Sequence, residues 1–267
     1  MEFQRIGFLG CGNMGSALAR AAAKRGKKLL LANRTLAKAQ ALAVELGAQP
    51  TQNWDVARYC DLIFLGVKPQ MMAGLLEELA PYLRERKDRF VLVTMAAGLT
   101  IETIRSMAGG DYPVIRIMPN TPVSIGEGMI LYCSEGVAPA ELEAFCTLMS
   151  GSGRLDELPE GLMDAGSALS GCGPAFVYPF IEALADGAVA CGLPRAKAQQ
   201  YAAQTLMGAA KLVLESGEHP GALKDAVCSP GGSTIQGVRA LEQGGFRSAV
   251  MEAVLAAYQK TVDLGKQ

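Results

Sequence analysis

Histidine is almost missing from this chain of 267 residues. His219 is the only one, so a histidine-based triad has one possible member and a multi-histidine metal site has none. His219 precedes Pro220-Gly221 and reads as a loop residue. Seven cysteines (Cys11, Cys60, Cys133, Cys146, Cys172, Cys191 and Cys228) are odd in number and nowhere spaced as CxxC, which argues against a disulfide framework and a zinc site and predicts reduced thiols. Neither sign of charge is in excess: Lys and Arg total 25 against 26 Asp and Glu, a net charge of -1, so no basic field draws in nucleic acid or an anionic membrane. No uninterrupted apolar run approaches the roughly 18 residues of a membrane span. The N-terminus lacks a charged segment followed by an apolar stretch and a cleavage site. These absences predict a soluble, cytoplasmic protein with no resident metal, no nucleic-acid partner and no membrane partner.

What is present is material for a core. Hydrophobic residues make up 50% of the chain and charged residues 19%, inside the globular range, and the length suits two domains at roughly 150 residues each. Short apolar runs at Ile6–Leu9, Leu29–Leu31, Leu62–Leu65 and Phe90–Val93 alternate with helical patterns at Ser16–Lys24, Leu36–Leu46 and Met71–Leu83. This βαβα rhythm predicts a mostly parallel sheet covered on both faces. Further strands are expected at Val114–Ile117, Met129–Cys133 and Gly153–Asp156, with a helix over Pro139–Met149.

After Pro159 the texture becomes helical throughout. Helices are predicted at Ala175–Cys191, Arg195–Ser216, Thr234–Gln243 and about Ser248–Leu264. The expected organisation is an α/β dinucleotide-binding domain over residues 1–158 followed by an all-helical domain over 159–267. Apolar residues on two sides of these Ala-rich helices exceed what a small helical domain can bury alone, which predicts self-association.

The first chemical signal is Gly10-Cys11-Gly12-Asn13-Met14-Gly15, directly after a strand and opening an Ala-rich helix. In that setting Gly10 serves the tight turn, Gly12 the approach of backbone to a pyrophosphate, and Gly15 the packing of helix on strand. The helix N-terminus adds free N–H groups and positive dipole. The second strand ends Asn33-Arg34-Thr35, without the carboxylate that would hold an NAD ribose. Arg34 can pair with a 2′-phosphate while Asn33 and Thr35 donate to its oxygens, which predicts NADPH as cofactor, with NADH also possible. Val67-Lys68-Pro69 and Ala96-Ala97-Gly98 follow later strands, where open α/β sheets bind ligands. The small residues would let a flat ring lie on backbone. Asn120, held between Pro119 and Pro122, is similar in kind.

In the second half, Cys228-Ser229-Pro230-Gly231-Gly232-Ser233-Thr234 forms a stiff turn whose amides can seat a carboxylate, although an ordinary capped helix start fits the same residues. Ser170-Gly171-Cys172-Gly173-Pro174 is a second glycine turn ahead of a helix.

With these motifs the sequence resembles the pyrroline-5-carboxylate reductase family along nearly its whole length. The matching segments include Gly10 to Gly15, Asn33-Arg34, Val67 to Gln70, Met118 to Pro122, Ser170 to Ala175 and Leu223 to Leu241. The resemblance implies a Rossmann-type domain followed by a helical dimerisation domain, and NAD(P)H-dependent reduction of 1-pyrroline-5-carboxylate to L-proline by a dimer or a multiple of dimers. It also implies that Ser229, Gly231, Gly232, Ser233 and Thr234 bind substrate, with Thr234 near the ring nitrogen and the site completed by a partner chain. An iminium can arrive already protonated, so the reaction needs no strong general acid. Two rivals share the first domain: a β-hydroxyacid dehydrogenase-like NADP oxidoreductase and a non-catalytic NADPH-binding sensor. The former usually carries a lysine on the helix after its second glycine turn; here none occurs from Pro174 to Ala196.

Overall fold

The computed structural model describes residues 2–265. The chain falls into two packing units, one running through Cys172 and including the tail from Ala257, the other spanning Gly173–Ala256.

The first unit is built on one sheet of eight strands among the described residues: β1 (Arg5–Leu9), β2 (Lys28–Ala32), β3 (Gln49–Pro50), β4 (Leu62–Leu65), β5 (Val91–Thr94), β6 (Val114–Pro119), β7 (Gly128–Glu135) and β8 (Gly153–Glu157). Their order is β3-β2-β1-β4-β5-β6-β7-β8. The first six run parallel in the order of a dinucleotide-binding sheet, β7 pairs antiparallel to β6, and β8 runs parallel to β7. The helices between them are α1 (Asn13–Ala23), α2 (Leu36–Leu46), α3 (Asn53–Tyr59), α4 (Pro69–Glu85), α5 (Ile101–Ala108), α6 (Pro139–Met149) and α7 (Met163–Gly166).

Continuous apolar strands are explained by cores on both faces. Ile6, Phe8, Leu31, Phe64 and Val93 join Leu18, Leu42 and Phe145 on one side. Leu9, Leu30, Ile63, Leu65 and Leu92 meet Val56, Leu76 and Ile104 on the other. The period-2 alternation of strand side chains assigns each set to its face. Phe8 and Phe64, register partners on β1 and β4, stack with ring centroids 4.4 Å apart. Gly7, between Ile6 and Phe8, points to the other face, where a Cβ would lie 2.2 Å from Val56 Cγ1, so α3 can approach β1 only over glycine.

The predicted strands all form. Three helices of this unit, α3, α5 and α7, were not anticipated, since at eight residues or fewer they carry little periodic signal. The packing division after Cys172 falls later than residue 158, because the intervening segment lies on the sheet: Met163 is buried in the second core and Asp164 pairs with Arg116 of β6. The glycine turn expected at Ser170–Pro174 is instead helical. Ser167–Gly171 forms a π-helical turn, with the Cys172 amide donating to Ser167 O at 3.1 Å. Although no uninterrupted apolar run is that long, the helical stretch Glu160–Ala190 is long and apolar enough on average to cross a membrane.

The second unit contains α8 (Gly173–Ala190), α9 (Arg195–Ser216), α10 (Pro220–Ala226), α11 (Ser233–Gln243) and the first half of α12 (Phe246–Leu264). The short α10 was not anticipated, and the lone histidine serves there: His219 is its N-cap, with Nδ1 accepting from the Gly221 amide at 3.0 Å. The buried cluster of this unit is small, Ala185, Ala198 and Ala202 where α8 meets α9. Tyr178, Tyr201, Met207, Leu214, Met251 and Leu255 remain exposed, the apolar surplus expected of an associating domain.

Phe64→Ala should remove a fully buried ring and its stacking partner, lowering stability by about 3–5 kcal/mol. Denaturant titration followed by far-UV circular dichroism checks this, with the expected shift confined to the transition of the first unit.

Candidate functional site

The glycine turn between β1 and α1 is fixed from both sides. The Gly10 amide donates to Ala32 O at 2.8 Å, and the Gly66 amide donates to Leu9 O at 2.7 Å. Gly10 has φ +108°, and a Cβ there would lie 2.6 Å from Gly66 O. At Gly15 an added Cβ would lie 2.1 Å from Gly10 O, so α1 could not seat on the turn. Gly12 differs: a Cβ there meets no protein atom within 4 Å. The protein gives no steric reason for glycine at 12, which leaves room in front of the turn for something else to approach backbone. No side chain caps α1, whose N-cap is Gly12, so the first amides (Asn13, Met14, Gly15) have no side-chain capping partner.

Cys11 lies inside this turn without adding charge. Burial pushes its thiol up to about 11, so it stays neutral at physiological pH, with Sγ 3.7 Å from Ala32 O.

The end of β2 is tied to the glycine turn. Asn33 accepts from the Cys11 amide through Oδ1 at 2.9 Å and donates through Nδ2 to Thr35 O at 2.9 Å. Its amide is engaged in tying β2 to the glycine turn, a tether visible only once the two loops are adjacent. Thr35 is the N-cap of α2, yet its hydroxyl makes no capping bond. Arg34 is exposed and, among the described residues, has no hydrogen bond or ion pair.

Gly10, Cys11, Gly12, Asn33, Arg34, Thr35, Val67 and Lys68 line one cleft of about 680 Å³. Lys38, Asn53, Gln70 and Glu78 line it as well. Lys38, in the first turn of α2, lines the cleft together with Arg34, which precedes that helix. Glu78 of α4 accepts from Asn53 Nδ2 at 3.2 Å with both carboxylate oxygens, a cross-helix pair no spacing rule announces. Lys68, N-cap of α4, is also free of salt bridges among the described residues, so the cleft carries three unpaired cations against one engaged carboxylate.

Pro69 opens α4 beside this cleft, and Ala96, Ala97 and Gly98 form the loop after β5, outside its lining. Asn120 ends β6. Its Oδ1 accepts from the Met129 amide at 2.9 Å and its Nδ2 donates to Ser170 O at 3.0 Å, so it braces the β6–β7 connection.

In the second unit, the Gly232 amide donates to Ser229 O at 3.0 Å, with Pro230 and the positive-φ Gly231 (+70°) at the corners of the turn. A Cβ at Gly232 would lie 2.4 Å from Ser229 Oγ. The N-cap of α11 is Gly232, without a side-chain capping bond, so neither Ser233 nor Thr234 closes the helix start. Their amides and exposed hydroxyls are left available.

A family model described as pyrroline-5-carboxylate reductase dimerisation matches residues 160–264, and one described as NADP oxidoreductase coenzyme F420-dependent matches residues 5–98. The chain is 40% identical over 269 residues to the pyrroline-5-carboxylate reductase of Escherichia coli (strain K12), covering 98% of this chain and 99% of that one. The Methanosarcina acetivorans pyrroline-5-carboxylate reductase is 39% identical over the full length of both. Among solved structures, Plasmodium falciparum pyrroline carboxylate reductase with NADP bound gives a TM-score of 0.87 at 35% identity, covering 99% of each chain.

The contrast between two glycines is testable. Gly12→Ala should leave thermal stability near wild type while weakening NADPH binding by about tenfold or more, because the new methyl occupies ligand space only. Gly15→Ala should lower the melting temperature by several degrees, since the clash is with Gly10 O. Calorimetric titration with NADPH and thermal unfolding of both variants separate the effects.

Proposed function

The chain belongs to the pyrroline-5-carboxylate reductase family, and from that premise we propose how its residues reduce 1-pyrroline-5-carboxylate to L-proline, the last step of proline biosynthesis. Bound in the first unit, NADPH supplies the hydride for the imine carbon. The observation that carries the cofactor half of this reading is the glycine turn with open space at Gly12, in a cleft holding three unpaired cations.

The amides of Asn13, Met14 and Gly15 hold the pyrophosphate with the α1 dipole. Arg34 and Lys38 take the 2′-phosphate, with the free Thr35 hydroxyl as a further donor and Asn33 fixing the loop beneath them. NADH can enter the same cleft but forfeits the phosphate contacts. Val67, Lys68 and Pro69 continue the seat toward the ribose, and Ala96, Ala97 and Gly98 offer a flat backbone surface to the nicotinamide. Asn120 acts behind them, as a brace.

On the substrate side, Ser229, Gly231 and Gly232 shape the turn, and the amides of Ser233 and Thr234 hold the carboxylate at the start of α11. The Thr234 hydroxyl orients the ring nitrogen and the proton it carries. A protonated iminium needs positioning more than acid catalysis, which suits a chain whose single histidine is engaged as a helix cap. Residues 159–267 serve as the dimerisation domain, and their exposed apolar side chains support assembly into a dimer or a multiple of dimers. All seven cysteines are free, which supports a reducing, cytoplasmic setting.

NADPH consumption with 1-pyrroline-5-carboxylate tests the reading, run beside a 3-hydroxy acid with NADP; activity with only the second pair would overturn it. Replacing both Arg34 and Lys38 by Ala should raise KM for NADPH by about 10- to 100-fold and leave NADH kinetics nearly unchanged, the loss expected of charge-assisted hydrogen bonds. Thr234→Ala should lower kcat by about 100-fold at saturating substrate. Equal turnover would remove the hydroxyl from the mechanism.

A further inference from the structure

Arg116 lies deep in the first unit, only 2% exposed, on the strand next to the loop that carries Ala96, Ala97 and Gly98. Its register partner on β5 is Thr94, the last residue before that loop. Arg116 donates to Asp164 Oδ1 at 2.8 Å and to Glu160 Oε1 at 3.2 Å. The same Glu160 oxygen accepts from the Ile101 amide at 2.8 Å. Ile101 is the first residue of α5, so this bond satisfies a helix N-terminal amide that no intrahelical carbonyl can reach. A carboxylate there also interacts favourably with the helix dipole.

The geometry points to Glu160 as a positioning residue for the nicotinamide loop. The loop from Met95 to Thr100 is short and held at both ends. At its start the Ala96 amide faces Thr94 Oγ1 at 3.4 Å. Within it the Leu99 amide donates to Ala96 O at 3.4 Å, and Gly98 adopts φ +76°. At its end Thr100 caps the Thr103 amide, and Glu160, fixed by a buried guanidinium, holds Ile101. Thr100 and Thr103 are local to α5 and move with it. Glu160 comes from 59 residues away and adds, to the apolar packing of Ile101 and Ile104 near Val114 and Met118, a polar tie from the loop end through Arg116 to β6. Arg116 gives the tie its rigidity, because a guanidinium with no access to water holds its carboxylates in fixed places.

This assignment rests on the proposed seat of the nicotinamide at Ala96–Gly98. A loop displaced by a fraction of an ångström would misalign hydride transfer while leaving the remote phosphate contacts at Arg34 and Lys38 intact. The signature is therefore a loss in kcat with KM for NADPH preserved.

Three variants test it. Glu160→Ala should lower kcat about tenfold with KM for NADPH within about twofold, and should speed hydrogen exchange of the Ile101 amide about tenfold. Glu160→Gln keeps a carbonyl oxygen for Ile101 and should restore most of both. Asp164→Asn disturbs the other arm of Arg116 without touching the tether, and should leave kcat near wild type. Unchanged kcat in Glu160→Ala, or an equal loss in Asp164→Asn, would overturn the assignment and reduce the cluster to a structural ion pair. Exchange at Ile101 reads the tether without catalysis: if the wild-type protein did not reduce the imine, the proposed function would fall, and unaltered exchange in Glu160→Ala would separately sink the tether.

Discussion

The cofactor half of the protein depends on one constraint, the close approach of backbone to backbone at Gly10. With φ +108° and the Gly66 carbonyl within contact of any side chain, this residue lets β1 end, the chain reverse, and α1 begin within three residues. Its amide reaches the end of β2, the amide of Gly66 reaches the end of β1, and the Cys11 amide reaches Asn33. Three loops are thereby locked to one another at the carboxyl edge of the sheet, where the change in strand order between β1 and β4 opens a crevice. The orientation of the α1 dipole, the position of Arg34 and the width of the cleft all follow from that lock.

Charge is arranged around this edge with economy. The turn itself carries no ionised side chain, because burial keeps Cys11 a neutral thiol. The unpaired cations stand at the rim, on Arg34, Lys38 and Lys68, where water solvates them at little cost until a phosphate arrives. Behind the loops the pattern reverses: Arg116 is buried, its two terminal nitrogens bind Glu160 and Asp164 while its Nε has no partner among the described residues, and Glu160 organises backbone rather than ligand. A buried pair of this kind is weak as a source of stability but strong as a source of fixed geometry.

The helical half is governed by what it leaves unburied. Its internal contacts run through small residues, Ala185, Ala198 and Ala202, which let α8 and α9 approach closely but bury little apolar area. Many of the larger side chains, Tyr201, Met207, Leu214 and Met251 among them, remain exposed. The region matches a family described by dimerisation, and self-association is a means of covering such a surface.

Most of the sheet was legible in the sequence because buried parallel strands leave continuous apolar runs, as at Leu62–Leu65, and because glycines in a strand-turn-helix setting have no other common use. Arg195–Ser216 was legible to the residue, bounded by Pro194 and Gly217. Short helices such as Asn53–Tyr59 were not, since fewer than two turns cannot show a period. The π-helical turn at Ser167–Gly171 was hidden behind glycines that usually break helices. For the site, the sequence alone determined which residue types were available: the glycine turn, Arg34 without a carboxylate beside it, and the Ser229–Thr234 turn. Only the tertiary structure decided that Asn33 is a tether, that Lys38 and Glu78 share the cleft, and that Glu160 reaches Ile101, because each depends on groups brought together across 22 to 59 residues of chain.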